Sequence, residues 1–299
     1  MPSDLRKNVY MTKSYPKITI VTPSYNQGQF LEDTIQSVLG QGYPNLEYLV
    51  MDGGSTDNSV EIIKKHEKHL AHWVSAKDGG QAAAINAGFA RATGDILGWL
   101  NSDDMYLPGA LSFVAGRLNP ATPELLFGNC LHLQEGSAEV RGSDVARRRA
   151  DRGLKLYDPI IQPSAFWTRN AWETVGPLDD SLHYSFDWEW FLRAEQAEVT
   201  FAAVDKYLSV YRLHDAHKTG TGGEKRQTEL AGVYGRYAGP AIQALYVECC
   251  KSGDAVDAFM AGLKRRRLLR LAGPLLRWKF PQLFGKASAQ DVWHVMEMR

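Results

Sequence analysis

Apolar positions in the first third of the chain alternate between two periods. Short apolar and β-branched runs, in KITIVTPSYN, LEYLVMDGGSTDNS, HWVSA and DILGWLN, read as strands, and each stops at a cluster of Pro, Gly, Ser, Lys, Asn or Asp. Between them lie helical spacings. In QFLEDTIQSVLGQ the residues Phe30, Leu31, Ile35, Val38 and Leu39 recur at that period before Gly40 and Gly42 stop it. Residues 59–70 and the stretch GGQAAAINAGFARAT read the same way. Repeated strand–helix units with almost unbroken apolar strands predict an α/β fold, a largely parallel central sheet covered by helices on both faces. Beyond residue 120 the pattern loosens into shorter strands and turns, with helix signals near 170 and over 187–196. The tail from about residue 220 reads as mostly helical.

Such sheets bind ligands beyond the carboxyl ends of their strands. Four consecutive strand ends carry polar clusters: Pro23 to Asn26, Asp52 to Asp57, Lys77 to Gln81 and Asn101 to Asp104. Together they read as one assembled site. The last is the most demanding, because the buried strand of GDILGWLNSDD ends in two adjacent carboxylates, Asp103 and Asp104. Neither a G-x-G-x-x-G after the first strand nor a G-x-x-x-x-G-K-[ST] is present, so dinucleotide and P-loop readings lack support. A nucleoside diphosphate bound there needs its charge neutralised, and a divalent metal held by Asp103 or Asp104 would do so. The alternative is that the two acids cap a helix or open the turn before Pro108.

Composition narrows the class. In 299 residues, Lys plus Arg and Asp plus Glu number 34 each, so overall charge does not point to nucleic acid. The three cysteines, Cys130, Cys249 and Cys250, have no CxxC spacing, which fits a reducing cytoplasm without disulfides or a thiolate zinc site. No apolar run reaches membrane-spanning length, and MPSDLRKNVYMTKSYPKI lacks the apolar core of a signal peptide. Charge is nevertheless uneven. The segment LKRRRLLRLAGPLLRWKFPQLF, residues 263–284, holds seven basic and no acidic residues among leucines, Trp278 and Phe280. It reads either as a surface that docks on anionic membrane or as a terminal helical hairpin with solvated arginines, broken or kinked at Pro274.

The ordered succession TPSYNQGQFLEDTIQSVLGQGYPNLEYLVMDGGSTDNS and DGGQAAAINAGFARATGDILGWLNSDD resembles the family 2 glycosyltransferases of GT-A fold, over roughly residues 16–215. The resemblance implies that Ser102–Asp103–Asp104 is the DxD-like element holding Mn²⁺ or Mg²⁺ on a nucleotide-sugar diphosphate. Ser102 replaces the first acid, which points to Asp104 as the direct ligand. Pro23 and Tyr25 match positions lining the base, and Asp52 the acid that binds base or ribose, while Asp57 is read as a support or helix cap. Lys77, Asp78, Gly80 and Gln81 match the loop beside ribose and sugar, and Asn86 and Gly88 a helix packed under the donor.

For the second half, inverting transfer needs a base for the acceptor hydroxyl, and a carboxylate in reach suffices. LDDSLHYSFDWEWFLRAEQ offers Asp187 and Glu189, which cannot share one helical face. The resemblance makes Asp187 the base and Glu189 a second acid that orients the acceptor; the alternative is that Asp187 only caps its helix. Gln162, Pro163 and Ser164 are candidate acceptor or donor-sugar contacts, while Phe166 and Trp167 alternate in and out of the sheet. His214, in YRLHDAHKTG, matches a histidine completing the metal or diphosphate site, its alternative being a loop histidine on a mobile HKTGTGGEK.

The resulting expectation is a metal-dependent inverting glycosyltransferase with a UDP-sugar favoured as donor and dTDP- or GDP-sugars as alternatives. Its acceptor is a glycan or lipid-linked hydroxyl in bacterial surface polysaccharide synthesis, and its location is cytoplasmic or peripheral on the inner face of the membrane. Residues 1–219 form the catalytic domain, with a donor half at about 16–119 and an acceptor half at about 120–219, and residues 220–299 form a helical extension. Two rivals remain: a nucleotidyltransferase, against which TPSYNQGQF lacks a basic residue, and a non-catalytic sugar- or lipid-binding scaffold.

Overall fold

The computed structural model describes residues 15–137, 140–145, 153–214, 218, 222–265, 271–284 and 288–299. Residues 266–270 of the basic run, and 217 and 219–221 of HKTGTGGEK, lie outside them. The first four strands are β1 (Ile18–Ser24), β2 (Leu46–Asp52), β3 (His72–Ser75) and β4 (Ile96–Trp99). Helices α1 (Gly28–Leu39), α2 (Ser59–His66) and α3 (Gln81–Phe89) connect them. These four strands are parallel, in the order β3-β2-β1-β4, as the alternating periods predict.

The second half departs from a parallel sheet. After β5 (Met105–Tyr106) and α4 (Ala110–Ala115) come β6 (Glu124–Gln134), β7 (Val140–Gly142) and β8 (Ala165–Thr168). Strand β8 inserts between β4 and β6 and runs antiparallel to both. Helices α5 (Arg169–Val175) and α6 (Phe186–Gln196) then lead into the long β9 (Thr200–Leu213), parallel to β6 and antiparallel to β5. The sequence predicts shorter strands beyond residue 120, yet β6 and β9, at 11 and 14 residues, are the longest described; irregular connections and mixed directions hide them from periodicity.

Side chains alternating along β1 sort the interior into two layers. Ile18 and Ile20 face α1, α2 and α4 and pack with Leu31, Ile35, Tyr48, Val50 and Ile63. Val21 faces the other side, with Leu49, Met51, Ile85 and Phe89. That second layer holds the aromatic centre of the molecule: Trp167 lies between Trp99, at 5.2 Å, and Trp190, at 4.8 Å between ring centroids.

The helical tail comprises α7 (Gly223–Tyr237), α8 (Pro240–Arg265), α9 (Ala272–Lys279), α10 (Pro281–Phe284) and α11 (Ala289–Glu297). Its buried Tyr234, Tyr246, Val256, Leu276, Phe280 and Val295 continue the Trp99–Trp167 layer without a break. Tyr234 packs on Trp188 at 4.9 Å and donates its hydroxyl to the Leu156 carbonyl. The cysteines are free thiols, two of them buried. No described helix is long and apolar enough to cross a membrane.

Helix α3 approaches the sheet tightly at Gly88, where a Cβ would sit 2.5 Å from Val21 Cγ1 and 2.9 Å from Cγ2. Valine is stiff at χ1 and buried, so it cannot yield cheaply. Gly88→Val is expected to destabilise the fold by about 1–3 kcal/mol, read as a lowered midpoint in urea unfolding with unchanged slope.

Candidate active site

The four parallel strand ends open into one cavity of about 930 Å³. From the strand ends it is walled by Pro23, Tyr25, Gly53, Gly54, Lys77, Asp78, Gly80, Gln81, Ser102 and Asp103. Gln162, Pro163, Tyr184, Asp187 and Lys218 wall it from the second half of the chain. Loops from both halves of the chain therefore meet across a single space.

The turn after β4 is held from three directions. Thr34 Oγ1 of α1 donates to the carbonyls of Ser102 and Asp104 at 2.9 and 2.8 Å. The Arg212 guanidinium of β9 donates to the Asp103 carbonyl at 3.1 Å, pairs with Asp33 at 3.0 Å and lies over the Phe30 ring. The Arg212 backbone N–H donates to Asp104 Oδ1 at 3.1 Å. Asp104 is fully buried, and burial together with the neighbouring Asp103 charge pushes its pKa well above the usual carboxylate range. The sequence pointed to Asp104 as the metal ligand; the structure turns it into the protein, where it satisfies β9, and presents Asp103 to the cavity instead. His214, on the residue after β9, brings Nε2 to 3.1 Å from Asp103 Oδ2, its ring against Phe30. Two ligands at right angles on one ion stand about 3 Å apart given bonds of about 2.1 Å. Asp103 and His214 are thus the residues that would hold a divalent cation here.

Asp52 does not line the cavity either. It is 1 % exposed, and its two oxygens accept from Gly54 N–H, Ser55 N–H, Ser55 Oγ and Ser75 Oγ. Its work is to shape the GGS loop, while Asp78 at the next strand end reaches the cavity and stands 3.0 Å from where a Gly53 Cβ would be. Asp57 accepts from Gly28 N–H and Ser59 N–H, supporting the starts of α1 and α2. Asn86 exchanges two hydrogen bonds with the Leu178 backbone and ties α3 to the loop before α6. Ser164 is buried against Ser209 and the Asn129 carbonyl.

Asp187 does reach the cavity, at the start of α6. Burial raises its pKa, opposed by the Trp188 N–H bonded to Oδ1 at 2.8 Å and by the charges of Lys218 and Arg226. Nearby Asp158 is raised well above its ordinary value by burial and then by the Asp187 charge. Glu189 points elsewhere: it is 2 % exposed and held by Arg193 and Tyr237. The expected pair of acids at the acceptor is therefore one acid, since residues two apart on α6 diverge.

Residues that sequence reasoning missed complete the site. Lys218 donates to Gln81 Oε1 at 2.8 Å, lies over the rings of Phe186 and Tyr184, and is held down to about 8 by burial against the pull of Asp187 and Glu229. Gln81 passes the contact on, donating to Asn101 Oδ1 at 2.8 Å, and Asn101 donates to Asp104 Oδ2 at 3.3 Å. Glu229 of α7 accepts the N–H groups of His183, Tyr184 and Ser185 at 2.6–2.7 Å and the Ser185 hydroxyl at 2.8 Å. It fixes the turn that enters α6, where Ser185 makes no side-chain cap of its own. No short motif marks either residue, because each acts from a helix or loop far along the chain.

A family model described as "Glycosyl transferase family 2" matches residues 19–170. An uncharacterized glycosyltransferase of Mycobacterium tuberculosis is 31% identical over 184 residues, 60% of this chain and 70% of that protein. The GalNAc(5)-diNAcBac-PP-undecaprenol beta-1,3-glucosyltransferase of Campylobacter jejuni is 30% identical over 171 residues, 56% of this chain and 53% of that protein. Among solved structures, S. aureus TarS 1–349 in complex with UDP-GlcNAc superposes with a TM-score of 0.57 at 17% identity, over 73% of this chain and 65% of that one. The mannosyltransferase PcManGT from Pyrobaculum calidifontis, in complex with GDP-Man and Mn²⁺, gives 0.60 at 16% identity, over 95% and 86%. At these identities the structures speak to fold, which is GT-A.

Glu229→Ala leaves the N–H groups of residues 183–185, in the turn before α6, without their carboxylate. It is expected to cost about 2–3 kcal/mol in stability and to speed hydrogen exchange at the amides of residues 183–185 above the global rate.

Proposed function

The chain belongs to glycosyl transferase family 2, and from that premise we propose a metal-dependent, inverting transfer with Asp187 as the base. The observation that carries the reading is the cavity itself, lined by both Asp103, after β4 and bonded to His214 behind it, and Asp187, at the head of α6. A nucleoside diphosphate-sugar laid along the strand ends puts its base by Pro23, Tyr25, Lys77 and Asp78 and its diphosphate by Ser102 and Asp103. Mn²⁺ or Mg²⁺ held by Asp103 and His214 supplies positive charge against that diphosphate. UDP is the favoured nucleotide, with dTDP and GDP as alternatives; UDP-GlcNAc and GDP-Man in the two structural neighbours support a nucleotide-sugar in general.

Asp187 takes the proton of the acceptor hydroxyl as its oxygen attacks the anomeric carbon. The bond from that carbon to the phosphate oxygen breaks, the electron pair leaves with the nucleoside diphosphate, and configuration inverts. Burial suits Asp187 to this, since a carboxylate with a raised pKa is the stronger base. Lys218, between Gln81 and Asp187, adds a cation beside the leaving diphosphate. The acceptor is a glycan or lipid-linked hydroxyl, a reading supported by the undecaprenol-linked substrate named for the Campylobacter relative. Such an acceptor puts the work at the cytoplasmic face of the membrane, in surface polysaccharide synthesis.

Two tests follow from this arrangement. Calorimetry with UDP, dTDP and GDP, each with and without Mn²⁺, is expected to show metal-dependent binding of one of them. Asp103→Asn lowers that affinity by about tenfold or more, whereas Asp104→Asn keeps the metal dependence and lowers stability instead. If none binds, the donor reading falls.

The pH dependence of kcat/KM reports groups of the free enzyme. Asp187 works only unprotonated, so activity rises with pH through its pKa, which lies above the ordinary Asp range. Lys218 works only protonated, so activity falls as pH passes about 8. Asp187→Asn is expected to abolish transfer with nucleotide affinity kept, and Lys218→Met to remove the alkaline limb. Loss of nucleotide affinity in Asp187→Asn would make Asp187 structural.

A further inference from the structure

Helix α9 is reversed relative to an ordinary surface helix. Its inner side is Leu276, 6 % exposed, with Phe280 just past its end. At about 100° per residue, Leu271, Pro274 and Trp278 fall within about 60° of one another, directly opposite Leu276. Leu271 is 51 % and Trp278 77 % exposed, and Pro274 between them is exposed as well. The outward ridge, which in a solvated helix carries charge, is apolar.

Its shoulders are basic. Arg277 flanks the ridge on one side with its guanidinium 5.0 Å over the Phe284 ring, and Lys279 on the other with its ammonium 4.8 Å over Phe259. Both charged heads rest against rings of the protein at the flanks of the ridge, on side chains long enough to swing out to a headgroup. Lys264 and Arg265, exposed at the end of α8, add two more cations, and no acid occurs anywhere from 263 to 284. On the neighbouring helices, Asp257 is paired with Arg299 and Asp291 accepts the Ser288 N–H, while Asp254 is an exposed acid on α8.

An apolar ridge one helix wide between two rows of cations matches the boundary of an anionic bilayer, where rings enter the acyl edge and cations meet headgroups. It is too narrow for a stable protein interface, which takes about 800 Å² per partner. We propose that α9 docks the protein on anionic phospholipid, with Leu271 and Trp278 inserted and Arg277, Lys279, Lys264 and Arg265 on the headgroups. The inference deepens the reading of a membrane-linked acceptor, but it stands on a separate surface and is tested without any sugar transfer.

The helical unit that carries α9 is also bonded to the wall of the cavity. Met298, after α11, accepts the Asp158 N–H at 3.4 Å, and His294 stacks on Tyr157, two and three residues or so before Ile160 and Ile161 of the lining. A body seated on lipid through α9 therefore holds its acceptor wall in a fixed relation to the bilayer.

The test is flotation of the full chain with vesicles of phosphatidylcholine alone or mixed with phosphatidylglycerol, in the absence of nucleotide-sugar. The protein is expected to float with the anionic vesicles only, and less as salt rises. Trp278→Ser is expected to lower partitioning by about tenfold or more, and Arg277→Glu with Lys279→Glu by a similar factor. Tryptophan emission is quenched by chain-brominated lipid in the wild type and much less in Trp278→Ser. These side chains point outward, so circular dichroism and nucleotide binding stay unchanged and report intact folding. Absence of binding to anionic vesicles overturns the proposal, as does equal binding by Trp278→Ser. Self-association in the ultracentrifuge that Trp278→Ser abolishes, without lipid binding, overturns it in favour of a second copy.

Discussion

A carboxylate at the end of a buried strand must be satisfied by the protein or by a ligand, and this chain does one with each of two neighbours. Asp104 takes the protein's share. Its Oδ1 accepts the backbone N–H of Arg212, which stitches the end of β4 to β9 across 108 residues of sequence. With the Thr34 hydroxyl on two carbonyls and the Arg212 guanidinium on a third, the turn has no freedom left. That rigidity is what lets Asp103 face the cavity at a set distance from His214. An unpartnered buried carboxylate costs several kcal/mol, so the stitch and the display of Asp103 are one constraint.

From that turn a chain of polar contacts crosses the floor of the cavity. Asn101 touches Asp104 and Gln81, and Gln81 touches Lys218, which shares its field with Asp187. The links span three, 20 and 137 residues of sequence, from within the turn after β4 to α3 and on to Lys218. The turn after β4, α3 and Lys218 are thereby joined across the cavity in one network, which is the form preorganisation takes in a site built on strand ends. The same wiring explains why the Lys218 amine sits so low. It is desolvated over two aromatic rings, and a bound diphosphate would restore the charge that burial disfavours.

The first half of this fold was legible because parallel β1–β4 and their helices repeat a simple alternation, each strand ending in a recognisable loop. Pro23, Tyr25, Lys77, Asp78, Gly80, Gln81, Ser102, Asp103 and Asp187 all reach the cavity. What spacing did not show was which of two adjacent acids turns outward. Asp103 and Asp104 differ by one residue and by the whole direction of the side chain, and the choice is made by β9, far downstream. Asp52 misled for a related reason: an acid that closes a glycine loop through Ser55 and Ser75 looks in sequence like an acid that binds a ligand. Lys218 and Glu229 carry no local pattern at all. Their roles exist only once α7 has packed beside α6.

The helical tail is where sequence and packing most need each other. A basic, leucine-rich segment by itself admits both a solvated hairpin and a membrane surface, and the structure contains elements of each. Leu276, Phe280 and Leu283 are buried in the same layer as Trp99 and Trp167, so the segment is a packed part of the catalytic body. Packing, however, consumes only the inner face of α9. Had the outer face carried Lys or Glu in place of Leu271 and Trp278, the core contacts would be identical and the helix more soluble. Leaving an indole 77 % exposed on an otherwise ordinary surface has no role in folding. Because α8, α9 and α11 share one core with Ile160, the outer face of α9 and the lining of the cavity belong to one packed body. The tail is therefore part of the body that carries the site rather than an appendage to it.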